Sequence, residues 1–154
     1  PLKPWRSGCK KKAELPHINP LVDLGNAVSL KHFVPIGVHD IDQFDGDSMG
    51  VRFSQPGDHF LPMGGTEPEQ PDENELLYVS GQTVKTRRWT WRQSDDGKIT
   101  DQTKHALIVI DGFYGCNEAS VQAAVDELCE LFQGLRHSTP LAGTVDSRHP
   151  VFEW

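Results

Sequence analysis

Cysteine is scarce in this chain: Cys9, Cys116 and Cys129 are all it contains. None of them forms a CxxC pair and their number is odd, which supports neither a zinc site nor a disulfide framework. A reducing cytosol fits this usage, so the expected location is cytoplasmic. Long apolar runs are also missing. Nothing approaches the roughly 20 residues that span a bilayer, and the start has no signal-peptide apolar region, so no membrane partner is expected. Positive charge is short as well, with 15 Lys and Arg against 22 Asp and Glu. The net charge of −7 gives no global attraction to a phosphate backbone, and any contact with nucleic acid must be local.

Several catalytic signatures are absent. The seven histidines, His17, His32, His39, His59, His105, His137 and His149, form no HxH or HExxH pattern. His39, Asp40 and Asp42 could supply two or three ligands only with a partner from elsewhere in space, and no metal is expected. There is no GxSxG elbow, no GxxxxGK[ST] loop and no GxGxxG fingerprint. Serine-nucleophile, kinase, ATPase and nicotinamide-dehydrogenase chemistry lose support, and no cofactor is implied. No internal repeat or low-complexity tract is present.

What is there suits one globular domain over residues 1–154: 36% apolar and 24% charged residues, with 14 Gly and 11 Pro marking many turns. The chain opens at Pro1 without a Met, which reads as a truncated start. Pro1 to Glu14, with Lys10-Lys11-Lys12, is a short helix or a mobile arm, more readily a solvated basic face than an RNA patch. Asn19-Pro20 is an N-cap and first-turn proline, and Leu21, Leu24 and Val28 follow at helical spacing, predicting a buried helix over Pro20 to His32. Asp23 and Asn26 lie about one turn apart and Asn19 sits at the positive helix end, so these three are candidate ligand-facing residues; capping and surface polarity are the simpler account of them.

Pro35 to Asp47 reads as a loop with short extended pieces, and Val51-Arg52-Phe53 as a short strand. Thr66 to Asn74 is an exposed loop. Glu75 to Trp91 reads as a hairpin that turns at Ser80-Gly81-Gln82, and Ala106 to Asp111 as a central strand. From Asn117 the apolar spacing becomes helical again, through Val121, Ala124, Leu128 and Leu135, with Gly134 as a stop. Val151-Phe152 is read as an edge strand.

Arg87 to Gln93 (RRWTWRQ) places three arginines and two tryptophans within seven residues. If the strand continues, Arg87, Trp89 and Trp91 share one face and Arg88, Thr90 and Arg92 the other. Arginine offers a planar fork to phosphate, carboxylate or ribose oxygens, and tryptophan a surface on which a base or ring stacks. The competing account is a strand whose tryptophans fill the core and whose arginines pair with surface carboxylates.

Six segments then occur in a telling order: INPLVDLGNAVSL (Ile18 to Leu30), PIGVHDID (Pro35 to Asp42), VRFSQPGDHFLPMGG (Val51 to Gly65), ELLYVSGQTV (Glu75 to Val84), RRWTWRQS (Arg87 to Ser94) and ITDQTKHALIVIDG (Ile99 to Gly112). In that order the chain resembles the B3/B4 domain of the phenylalanyl-tRNA synthetase beta subunit, and its free-standing relatives more closely, over roughly residues 17 to 135. The resemblance implies an α+β domain, mainly antiparallel sheet packed with helices and short of part of the family's N-terminal portion. It also implies a deacylase that hydrolyses the ester of mischarged aminoacyl-tRNA without a metal or covalent nucleophile, with the charged tRNA end as partner and no DNA. Gly37 stands where the synthetase pattern has a histidine, with His39 two places later, and the stretch ending in Gln93 replaces its glycine-rich segment.

On this reading Arg88 and Arg92 hold the terminal adenosine phosphate or ribose, Trp89 or Trp91 walls the amino-acid pocket, and Gln93 belongs to the same substrate-binding stretch. Asn19, Asp23 or Asn26 meets the α-amino group or the water, and His39 accepts a proton. The alternative is a binding module for RNA ends or amino-acid-like ligands that contributes no hydrolysis.

Overall fold

The computed structural model describes residues 17–135 and 138–154. Cys9, the Pro1 to Glu14 arm with Lys10-Lys11-Lys12, and Arg136 and His137 at the head of the tail lie outside them.

Helix α1 (Pro20–His32) begins as its sequence dictates. Asn19 Oδ1 accepts the Leu21 N–H at 3.0 Å, and Pro20 takes the first helical position, where its missing N–H costs nothing. The helix closes on Phe33, which is left-handed at φ 56 and returns its N–H to the Ser29 carbonyl. A Cβ on Gly25 would sit 3.2 Å from Val38 Cγ2, so the glycine is what lets α1 lie close on the strand that follows.

That strand, β1 (Ile36–Asp40), lies in the segment expected to be a loop with short extended pieces, and a short 3-10 turn over Ile41–Gln43 follows it. Its ladder partner is distant in sequence. Strand β6 (Ala106–Ile110) pairs antiparallel with it from Ile36↔Ile110 to Asp40↔Ala106. β6 is not central, since β1 is its one strand neighbour among the described residues. Its run is apolar because both of its faces are partly covered. Ile108 and Ile110 pack on the core of Val28, Val34, Ala124 and Leu128, the last two from helix α2 (Glu118–Gln133), while Val109 faces the other way.

The second sheet has the order β2 (Gly50–Phe53), β3 (Leu76–Ser80), β4 (Thr83–Arg87), β5 (Arg92–Gln93), each pair antiparallel. Phe60, Leu77, Val79 and Val84 form its own buried cluster. Tyr78 pairs with Thr86 and Val79 with Val84, which leaves Lys85 as the extra residue of a bulge. Lys85 is buried and donates from Nζ to the Gln43 carbonyl at 3.0 Å, tying this sheet to the turn after β1.

Among the described residues, two antiparallel sheets and two α-helices make the fold α+β. The described tail, 138–154, has no strand at Val151-Phe152; the Phe152 ring lies against Gly143 instead. Among the described residues, no helix is long and apolar enough to cross a membrane.

Candidate functional site

Strand alternation decides what lies between the two sheets. With Ile36, Ile108 and Ile110 committed to the helices, Gly37, His39 and Val109 turn toward the second sheet. Tyr78 and Thr86 meet them from β3 and β4. The segment after β4 and Asp111 after β6 complete a cleft of about 160 Å³. A void of about 150 Å³ is enough to hold one benzene-sized group.

The segment after β4 is not a continued strand. Arg88 and Trp89 are both left-handed, at φ 47 and 61, and the chain reverses so that Arg87 pairs with Arg92 and Thr86 with Gln93. The expected division of Arg87, Trp89 and Trp91 from Arg88, Thr90 and Arg92 on opposite strand faces therefore does not occur. Two adjacent left-handed residues other than glycine are costly, and surrounding bonds hold them. The Trp89 N–H donates to the Leu76 carbonyl at 2.8 Å and the Arg88 N–H to Glu75 Oε1 at 3.0 Å.

The turn deals its side chains to different tasks. Arg87 is buried in a cage of Glu75, Glu69 and Asp72, with its guanidinium 5.7 Å from the Phe60 ring centre, and is structural. Arg88 is exposed, pairs with Asp72 at 2.9 Å and stacks 4.6 Å over the Trp91 ring, outside the cleft lining. Arg92 lines the cleft and reaches Glu69 at 3.5 Å. Trp91 is 47% exposed at the cleft rim with both guanidinium groups over it. Gln93 lines the cleft and clamps it, donating from Nε2 to the Val38 carbonyl across the two sheets at 2.7 Å.

Trp89 reaches further in. Its Nε1–H donates to Asp111 Oδ1 at 2.8 Å, and the Tyr78 hydroxyl donates to the same oxygen at 2.6 Å. Phe113 meets the Trp89 ring edge-on at 5.0 Å. Burial raises the Asp111 carboxyl above its ordinary range, and the two hydrogen bonds offset part of that rise. The Tyr78 phenol is pushed up too, by burial and then by its hydrogen bond to Asp111 and the charge there.

His39 is buried at 1% exposure, and its Nδ1 is sealed from solvent with no hydrogen-bond partner among the described residues. Its Nε2 lies beside Gly37 at the cleft, where a Cβ would approach within 3.2 Å. Burial and then the Lys85 charge lower the ring to about 4, so it is neutral at physiological pH. With Nδ1 closed off, Nε2 is the atom that can meet a ligand or a water.

Asn19, Asp23 and Asn26 do not line this cleft. Asn19 caps α1, Asp23 accepts the Ile18 N–H at 2.9 Å, and Asn26 makes no side-chain hydrogen bond among the described residues. Asp40 accepts from Thr103 Oγ1 and Asp42 pairs with His105, and among the described residues no three His, Cys, Asp or Glu side chains are grouped to hold a metal ion. Tyr78, Thr86 and Asp111 were missed from the sequence. A carboxylate closing an apolar strand run, as Asp111 does, was the signal available.

An α+β domain with a lined cleft between two small antiparallel sheets is thus defined. The model of the B3/4 domain matches residues 9–137, and the chain belongs to that family. It is similar to the phenylalanine–tRNA ligase beta subunit of Symbiobacterium thermophilum, 27% identical over 165 aligned positions that cover 92% of this chain and 18% of the relative. The corresponding subunit of Gloeobacter violaceus is 32% identical over 82 positions, covering 53% of this chain and 10% of the relative. The chain therefore spans less than a fifth of either relative. Among solved structures, an N-terminal fragment of the phenylalanyl-tRNA synthetase beta subunit from Pyrococcus horikoshii shares the fold, with a TM-score of 0.51 and 15% identity over 73% of this chain and 41% of that one.

Proposed function

We propose that this domain hydrolyses the ester of mischarged aminoacyl-tRNA in the cleft between its two sheets. The observation that carries the reading is the buried neutral His39, whose Nε2 lies at a cleft walled by Trp89, Trp91 and Arg92. Family membership adds its weight, since the similar proteins are tRNA ligase subunits.

An aminoacyl ester is already activated, so positioning a water and stabilising the oxyanion can suffice. Water adds to the ester carbonyl carbon, the bond from that carbon to the ribose oxygen breaks, and a proton passes to the leaving ribose hydroxyl. A ring titrating at about 4 is a weak base, suited to orienting the water through Nε2 rather than to storing its proton. Arg92 with Trp91 at the rim takes the terminal adenosine and its phosphate, and Arg88 joins them once Asp72 is displaced.

Incubation of the full chain with a panel of mischarged tRNAs tests this reading. Ester loss from at least one member is expected, weakened by His39→Ala and by Arg92→Ala. If His39→Ala, Arg88→Ala and Arg92→Ala all match the parent, the placement fails. A second reading is favoured by one observation: Arg87, Arg88 and Arg92 are already paired with Glu69, Asp72 and Glu75, which suits a module that binds an amino-acid-like group without hydrolysis. Binding of charged tRNA with no ester loss from any member would select it.

A further inference from the structure

Asp111 has two carboxylate oxygens, and the protein uses only one of them at the cleft. The Tyr78 hydroxyl and the Trp89 indole N–H both converge on Oδ1, while among the described residues no donor reaches Oδ2. This half-satisfied carboxylate lines the cleft together with His39, which is itself almost wholly buried and whose Nδ1 has no hydrogen-bond partner among the described residues. The other charged side chain lining the cleft is Arg92, at the rim, where it lies over Phe60 and Trp91 and reaches Glu69 rather than Asp111. Among the described residues Asp111 is thus an anion without a cation of its own, in a cleft sized for one small group.

A half-buried carboxylate with a free oxygen is matched by a donor that brings positive charge, because a charge-assisted hydrogen bond returns what partial desolvation took. A primary ammonium is compact, has three N–H donors and fits beside one oxygen, whereas a planar guanidinium pairs best with both. We infer that Asp111 Oδ2 binds the primary ammonium group of an α-amino acyl ligand, and that Tyr78 and Trp89 hold the carboxylate in position for it. This rests on the proposed reading of the cleft and deepens it, since it makes a free α-amino group the feature recognised. The ligand's side chain then lies against Trp89 and Val109, and its ester carbonyl toward His39.

The Trp89 Nε1–H resonance gives a direct readout, because that proton sits on the same carboxylate. The ¹⁵N-labelled full chain is titrated with L-alaninamide and L-phenylalaninamide, and with their N-acetyl counterparts. At least one free-amine compound is expected to shift the Trp89 Nε1–H resonance in a saturable way, with its N-acetyl form binding about tenfold more weakly or worse, the scale of one charge-assisted hydrogen bond. Asp111→Asn should remove that preference. Equal binding of the acetylated and free compounds, or no shift from any of the four, overturns the inference. The parent-protein comparison stands even where Asp111→Asn does not fold. A parallel arm compares mischarged tRNA with the same tRNA N-acetylated on its amino acid. Equal hydrolysis of both sinks the ammonium site and keeps the hydrolase, whereas amide binding without hydrolysis of either keeps the site and sinks the hydrolase.

Discussion

Arg87 donates from Nε and Nη2 to the two oxygens of Glu75, at 2.8 and 2.7 Å, and both side chains are buried. Burial raises the Glu75 carboxyl, yet the Arg87 hydrogen bonds and the N–H groups of Asp72 and Arg88 outweigh it and hold the group below its ordinary value. Removing the Glu75 charge leaves the buried Arg87 only the more exposed carboxylates of Glu69 and Asp72. Glu75→Gln is therefore expected to destabilise the fold by about 3 kcal/mol in urea denaturation, the lower end for breaking a buried pair. Arg87→Lys should recover little, since an ammonium cannot reproduce the two parallel bonds. A loss under about 1 kcal/mol for Glu75→Gln would show that the pair is solvated, on the scale of exposed ion pairs.

His39 gives the fold a pH dependence of known sign. Its folded value, about 4, lies below the ordinary 6.5, so the unfolded chain takes up a proton first as pH falls. The stability associated with the neutral ring is complete above about 6.5 and is lost as pH falls toward about 4. Melting temperature should decline across that window more steeply for the parent than for His39→Gln. An NMR titration that finds the ring charged at pH 6 would remove the prediction.

Gly37 sets the room in front of His39. Gly37→Ala would place a methyl 3.2 Å from Nε2, so the ring must shift by a few tenths of an ångström. The expected result is a changed His39 ring signal and ester hydrolysis reduced several-fold, with little change in melting temperature. Unaltered kinetics would mean that Nε2 does not meet the reacting group.

Asn19→Ala separates capping from chemistry. Loss of the bond from Leu21 N–H to Oδ1 should cost about 1 kcal/mol of stability. Because Asn19 lies off the cleft, turnover measured where the variant is folded should equal the parent's. A selective drop in turnover would return the start of α1 to the site.

Signals that are local in the chain were legible from sequence. Asn19 and Pro20 announce α1, Ser80-Gly81-Gln82 marks the β3–β4 hairpin, and the apolar stripe with Gly134 marks α2. Each is decided by a few neighbouring dihedrals and one amphipathic face. The six ordered segments likewise pointed to the B3/4 family, whose model spans residues 9–137.

Tertiary pairing decided the rest. Val38 and His39 become strand residues only because β6 supplies a ladder, and Arg88 and Trp89 take left-handed backbone because β5 returns to pair with β4. The arginines that composition alone offered to a ligand are caught by Glu69, Asp72 and Glu75, carboxylates whose nearness depends on how the Thr66 to Asn74 loop and β3 pack against the turn. Asp111 looks in sequence like the end of an apolar strand, and the opposing sheet turns it into the cleft's carboxylate by bringing Tyr78 and Trp89 onto one of its oxygens. Periodicity and capping act within a turn or two of chain and can be read directly. Charge pairing and burial join residues that are distant in sequence, and the fold alone brings those together.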